Sequence, residues 1–293
     1  MRGEAPVHLP VMEREVIRLL SSPEVEVLLD ATVGAGGHAR ALLDSAGPRA
    51  RLVGLDRDAE LLETARERLA GYGDRVRLLH RSFAELEAAL DEAGETEVDG
   101  ALFDLGANSM HFDRAERGFS FLSPGPLDMR FDRSAGPTAE DLVNGLPEGE
   151  LAQLIHDLGD EGRARKIARA IVTERPIRDT VRLAEVVRGA VGGHGRTHPA
   201  TRTFQALRIA VNRELDHVEQ GIPAAVRRLR AGGRLVVISF HSGEDRVVKG
   251  LLRAEQQSGR ARALFPKPLR PEADEVRKNP RARSARLRAC EKG

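Results

Sequence analysis

Three aspartates close three short apolar runs in the first part of this 293-residue chain: Asp30, Asp56 and Asp104. After the first comes a glycine turn, Asp30-Ala-Thr-Val-Gly34-Ala-Gly36-Gly37-His38-Ala39, and the second ends Val53-Gly-Leu-Asp56. In an open parallel α/β sheet, a glycine turn after the first strand lets backbone approach a ligand closely. A carboxylate ending the second strand can hold ribose hydroxyls. Gly34-x-Gly36-x-x-Ala39 satisfies the dinucleotide fingerprint, so a nicotinamide cofactor and S-adenosylmethionine are both admissible; a turn that only connects strand to helix is the plain alternative. His38 opens the next helix, where its ring either touches a ligand or caps the surface. Asp104, in Phe103-Asp-Leu-Gly-Ala-Asn-Ser109, is suited either to accept a hydrogen bond from an amine about to be alkylated or to cap the following turn.

These residues need a scaffold that gathers strand ends. Apolar runs at 25–29, 52–55, 76–79 and 101–103 alternate with stretches such as 58–69 and 83–90, whose apolar residues recur at helical spacing. That alternation predicts a parallel, doubly wound α/β sheet, with all three acids facing the crevice outside the strands' carboxyl ends. From 109 to 200, turns at Ser123-Pro-Gly-Pro126, Gly136-Pro137 and Gly192-Gly193 separate helical segments. Leu151, Leu154, Ile155 and Leu158 share one helical face, as do Ile167, Ile171 and Val172. Sheet-like sequence then resumes: one long helix marked by Phe204, Leu207, Val211, Leu215 and Val218, a turn at Gly232-Gly233, and a buried strand at 235–240. The expected organisation is a discontinuous sheet domain, 1–108 with 201–293, interrupted by a helical insert over 109–200.

Composition narrows the function. A 31% charged content that balances to +1 lacks the gross basicity of a protein that coats nucleic acid, so any nucleic-acid surface must be a local patch. The single cysteine, Cys290, allows no internal disulfide, and no Cys/His spacing suggests a metal. No apolar run is long enough to span a bilayer and no signal core follows Met1, so a soluble cytoplasmic protein is expected. Local cations occur at Arg163, Arg165, Lys166 and Arg169, and at Arg281, Arg283, Arg286 and Arg288 in the basic stretch 267–288; each set reads as a solvated face or as phosphate contacts. His198-Pro-Ala-Thr-Arg-Thr203 and His241-Ser-Gly-Glu-Asp-Arg246 concentrate polar groups, but neither Ser239 nor Ser242 lies in a G-x-S-x-G elbow, which argues against a Ser/His/Asp hydrolase.

Longer motifs join the list: His8-Leu-Pro-Val-Met12, Asp56-Arg-Asp58, Glu116-Arg-Gly-Phe-Ser-Phe121, Gly125-Pro-Leu-Asp-Met-Arg130, Ile238-Ser-Phe-His-Ser242 and Asn279-Pro-Arg-Ala-Arg-Ser284. With these the chain resembles, essentially end to end, the bacterial 16S ribosomal RNA cytosine-N4 methyltransferases. The resemblance implies a Rossmann-like seven-stranded class I methyltransferase sheet with an inserted helical domain that recognises RNA. It implies S-adenosylmethionine as cofactor, 16S rRNA in the small ribosomal subunit as partner, and methylation of a decoding-centre cytidine (position 1402). Carried over by position, Gly36, Gly37 and His38 line the methionine side, Asp56 binds ribose, Phe83 flanks adenine, and Asp104 and His111 lie towards the methionine and substrate end. Asp104 is the candidate catalytic acceptor, Phe119 or Phe121 the stacking partner of an unpaired base, and the arginines the phosphate contacts. No metal and no membrane are implied, and monomer or homodimer stays open.

Two departures stand out. Ala107-Asn-Ser-Met-His111 replaces the usual Val-Ser-Ser-Pro-Gln, and Gly243 replaces a Leu, a change expected to loosen packing. The rivals are an NAD-dependent oxidoreductase and an RNA-binding assembly factor with a vestigial pocket.

Overall fold

The computed structural model describes residues 10–192 and 198–293; His8 and Leu9 of the first motif and Gly193 of the glycine pair lie outside the described residues. In chain order, α1 (Glu13–Leu20), β1 (Val27–Asp30), α2 (Gly37–Ser45), β2 (Arg51–Asp56), α3 (Ala59–Leu69), β3 (Val76–His80), α4 (Leu86–Ala93) and β4 (Val98–Asp104) come first. Six helices follow: α5 (Ser109–Asp113), α6 (Ala139–Gly145), α7 (Glu148–Gly159), α8 (Ala164–Thr173), α9 (Thr180–Val191) and α10 (Thr201–Asn212). The chain ends with α11 (Glu214–Arg228), β5 (Leu229–Ser239), α12 (Ser242–Gln257), β6 (Ala261–Ala263), α13 (Ala273–Lys278) and β7 (Arg286–Lys292). It divides into two compact units, Met1–Gly106 with Leu215–Gly293, and Ala107–Glu214.

In the first unit seven strands form one sheet in the order β3-β2-β1-β4-β5-β7-β6. The first five run parallel, and β7 is antiparallel to both β5 and β6. This is the expected α/β, Rossmann-like class. Strand order reverses between β1 and β4, the switch point at which such sheets bind ligands. Both faces are covered, so the strands read as continuous apolar runs and successive residues feed opposite cores. Leu29, Val53, Leu55, Phe103 and Val237 pack with α4, α11 and α12; Leu28, Leu52, Leu102, Val236 and Ile238 pack with α1, α2 and α3.

The structure corrects the sequence reading in two places here. Gly232-Gly233 does not end an element: it lies within β5, where residues 230–233 bulge out between the pairs Val98↔Leu229 and Gly100↔Arg234. The single long helix is two, broken at Arg213, whose φ of 48° places it in the left-handed region.

The break also moves the domain boundary. In the second unit Phe204, Leu207 and Val211 of α10 join one core with Leu151 and Ile155 of α7, Ile167 and Ile171 of α8, and Leu183 and Val187 of α9. The helical insert therefore runs over 107–214, not 109–200, because α10 buries its apolar face against helices. A long connection wraps this core. Arg117, buried, donates to the carbonyls of Arg130 and Phe131 at 3.0 and 3.1 Å, and Asn212 donates to Met129 O and accepts from Phe131 N. Gly118 has φ +74°, and a Cβ there would lie 2.1 Å from Pro126 O. Much of Glu116–Phe121 and Gly125–Arg130 thus specifies the fold of this unit. No described helix is long and apolar enough to cross a membrane.

Candidate functional site

The carboxyl ends of β2, β1 and β4 are neighbours, which brings Asp56, Asp30 and Asp104 to one edge of the sheet. The turn after β1 is fixed by backbone bonds, Val33 N to Leu55 O and Gly36 N to Val33 O, both among short, regular contacts. The Asp56 carboxylate accepts from Gly34 N and from Asp58 N, each at 2.8 Å, so it ties the turn to the start of α3. Asp58 caps α3 by accepting from Glu60 N and Leu61 N.

Gly36 and Gly37 open α2. A Cβ on Gly36 would press on Leu69 at 3.2 Å and one on Gly37 on Pro10 at 3.0 Å, so this pair lets the helix start pack tightly against its neighbours. From that start His38 is carried inward and is 7% exposed, with Nε2 3.5 Å from Asp104 Oδ2. Thr32 links the acids: its N donates to Asp30 Oδ1 at 3.2 Å, and its Oγ1 accepts from Asp104 N at 2.7 Å. Asp30 was legible only as an acid at a strand end; Thr32 carried no sequence signal.

What remains unbonded defines the chemistry. Asp30 Oδ2, both ring nitrogens of His38 and Asp104 Oδ1 are buried without a hydrogen-bond partner among the described residues. Buried polar atoms are nearly always paired, so four orphans in one cluster mark a place built for something other than the fold. Burial pushes the Asp30 carboxyl up to about 7, with His38 and the Thr32 bond opposing the rise and Asp104 and Asp56 adding to it. Burial pulls His38 down, but Asp104 first, then Asp30 and Glu13, outweigh it and raise the imidazole above its ordinary value. The cluster sets two carboxyls beside one imidazole, with acceptor atoms unpaired: it suits a hydrogen-donating ligand and can accept a proton. Among the described residues no group of His, Cys, Asp and Glu is arranged to hold a metal ion.

Phe83 follows β3, half-buried, edge-on to Phe103 at 5.3 Å and to His217 at 6.2 Å. His217 comes from α11, and its Nδ1 lies 3.1 Å from Ser82 Oγ, a neighbour that sequence reasoning missed because it arrives from far along the chain. His111 belongs to the helical unit. Its Nδ1 accepts from Asn108 N at 3.0 Å in a capping box that starts α5, and its ring stacks on Phe119 at 4.8 Å and tilts against Phe131 at 5.0 Å. The Asn-Ser-Met-His departure is thus a helix start with a ring in the core.

Several candidates for RNA contact are already engaged. Phe119 is buried in a mutual cluster with His111 and Phe131, at 4.8 and 5.5 Å, so it offers no open face to a base, which leaves Phe121, half-buried beside His198 and Phe204. Arg286 and Arg288, on one side of β7, clamp Asp245 at 2.9 and 2.7 Å and hold the antiparallel edge to α12. Arg163 bonds Glu161 and Val191 O. Arg165, Lys166, Arg281 and Arg283 are exposed. His241 and Glu244 form the capping box of α12, and a Cβ on Gly243 would come within 3.1 Å of the His241 ring, so the glycine makes room for the ring.

The family model of the MraW methylase family matches residues 5–293. The ribosomal RNA small subunit methyltransferase H of Pelobacter propionicus is 47% identical over 97% of this chain and 98% of its own length. The proteins of that name from Geotalea uraniireducens and Syntrophotalea carbinolica are each 48% identical, over 97% and 99% of this chain and 98% and 99% of theirs.

Proposed function

Since the chain belongs to the MraW methylase family and is a small-subunit ribosomal RNA methyltransferase, we propose that it transfers a methyl group from S-adenosylmethionine to the N4 amine of a decoding-centre cytidine of 16S rRNA. The observation that carries this reading is the buried cluster of Asp30, His38 and Asp104 with its four unpartnered atoms at the switch point of the sheet. A cationic cofactor with an ammonium donor fits that chemistry; a nicotinamide dinucleotide, whose phosphates are anionic, does not.

The bound cofactor supplies a methyl already activated on a sulfonium. Asp56, at the carboxyl end of β2 and tied to the turn after β1, holds the ribose hydroxyls. Phe83 flanks the adenine, and the Gly36-Gly37 backbone and His38 border the methionine portion; His111, whose ring packs on Phe119 and Phe131, keeps a structural role in the helical unit. The cytosine amine is a poor nucleophile because its lone pair is delocalised into the ring. Its attack needs alignment and an acceptor for the proton it sheds. Asp104 is that acceptor: it ends β4, its side chain is 21% exposed, and one oxygen is unbonded. The base must leave its stack to reach this depth. The insert 107–214 recognises the RNA, and Arg165, Lys166, Arg281 and Arg283 contact phosphates without reading sequence. A ribosomal substrate places the protein in the cytoplasm.

The test is transfer of labelled methyl from S-adenosylmethionine to small subunits that lack the modification, with nucleoside analysis of the product. N4-methylated cytidine is expected. Label on another nucleoside overturns the choice of target, and binding without transfer overturns the enzyme reading in favour of an assembly factor.

A further inference from the structure

The fold makes little use of the charge on Asp30. Its single hydrogen bond, from Thr32 N at 3.2 Å, needs only an oxygen, and its other oxygen is buried and unbonded. A carboxylate kept where the fold gains nothing from its charge points to a use elsewhere. The charged groups that face it come from three elements: His38 from α2, Asp104 from β4 and Asp56 from β2. His38 is the one cation among them, and it is itself faced by Asp104, Asp30 and Glu13 of α1. Thr32 fixes the two acids relative to each other through its N and Oγ1.

We propose that Asp30 is a positioning residue for methyl transfer: its carboxylate holds His38 as an imidazolium against Asp104, so that Asp104 meets the incoming amine as an ionised proton acceptor. This inference rests on the methyltransferase reading above. As the nitrogen lone pair forms the N–C bond, the S–C pair returns to sulfur and Asp104 takes the N–H proton. With Asp30 ionised, His38 keeps its proton and its pairing with Asp104. When Asp30 is protonated, the imidazolium loses one of its supporting carboxylates and Asp104 its fixed partner. Because Asp30 titrates near neutrality, transfer rises with pH through that region.

Asp30→Asn keeps the oxygen that Thr32 bonds and removes only the charge. In single-turnover transfer the variant is expected to be about tenfold slower than wild type near pH 8 and nearly equal to it near pH 5.5, where both lack the charge. The His38 ring proton, followed by NMR in the cofactor-free chain, should titrate at lower pH in the variant. Equal slowing at every pH, or an unmoved His38 titration, overturns the proposal. If a thermal melt shows the variant unfolded, the wild-type curve decides: a His38 titration with an inflection shared with Asp30 supports it, and an ordinary imidazole curve overturns it. Lack of transfer by wild type would count against the methyltransferase reading, while the His38 titration still reports on Asp30.

Discussion

In the helical unit, the amide of Asn212 is buried and fully used: it accepts from Phe131 N at 2.8 Å and donates to Met129 O and Arg208 O at 2.7 and 2.9 Å. Asp128 in the same unit meets Arg130 through two bonds of 2.8 and 3.0 Å. In the sheet unit, Asp30 and His38 are as deeply buried, yet Asp30 makes one weak bond and the His38 ring makes none. The two clusters have similar composition and opposite accounts. A satisfied network fixes one arrangement of the chain, whereas an unsatisfied one destabilises the fold and persists where a ligand or a reaction completes it. The long motifs around Arg117 and Asp128 are therefore read as fold, and the short one around Asp30 as function.

The sharpest separation comes from Asp104→Ala. Loss of a positioned proton acceptor is expected to lower the methyl-transfer rate at saturating cofactor by on the order of 10²–10⁴, with an unchanged melt. Full activity in that variant removes Asp104 from the chemistry and the comparison with it.

The same contrast predicts opposite pH dependences. Asp30 is raised to about 7 when folded, so the folded state holds its proton more tightly; its contribution to stability is complete below the ordinary value of 3.8 and falls as pH rises towards 7. His38, also raised, acts in the same direction, losing its contribution as pH rises through its folded value. Burial opposes ionisation of Asp128 and Glu161, but their arginines outweigh it and hold both below their ordinary values. Their contribution is present at neutral pH and is lost as pH falls through the acid range. Asp30→Asn should thus match wild type in stability near pH 4 and exceed it above pH 7 by on the order of 2–4 kcal/mol in denaturant unfolding. A variant less stable at pH 8 would mean that the fold uses this charge after all. On the satisfied side, Asn212→Ala strands Met129 O and Phe131 N and should cost about 2 kcal/mol at neutral pH, with the loss concentrated in amide exchange of residues 107–214.

How far the sequence went follows from the range of each interaction. Buried parallel strands announce themselves as apolar runs, so the three acids could be assigned to strand ends, and the periodic faces of α7 and α8 were plain. Contacts between distant segments were not. Nothing near Arg286 and Arg288 says that Asp245 will claim them, and nothing near Phe119 says that His111 and Phe131 will cover it. The break at Arg213 was invisible because an arginine in left-handed backbone carries neither Gly nor Pro as a marker, while Gly232-Gly233 over-signalled: glycine with φ +77° serves a bulge as well as a turn. The orphaned atoms of Asp30 and His38 could be recognised only by counting partners in three dimensions.

The smallest expected effect tests the surface rather than the interior. Helix α8 buries Ala164, Ile167, Ala168 and Ile171 and leaves Arg165 and Lys166 exposed on the other side, so truncating these two removes no packing. If they contact phosphates, the pair Arg165→Ala with Lys166→Ala lowers affinity for small subunits a few-fold and reduces the salt dependence of log K by about 1–2, with no change in the melt. Arg163→Ala, by contrast, breaks side-chain bonds to Glu161 and Val191 O and takes a cation from a buried carboxylate, so it should lower the melt. An unchanged salt slope in the double variant would return α8 to a solvated face and shift the phosphate contacts to Arg281 and Arg283.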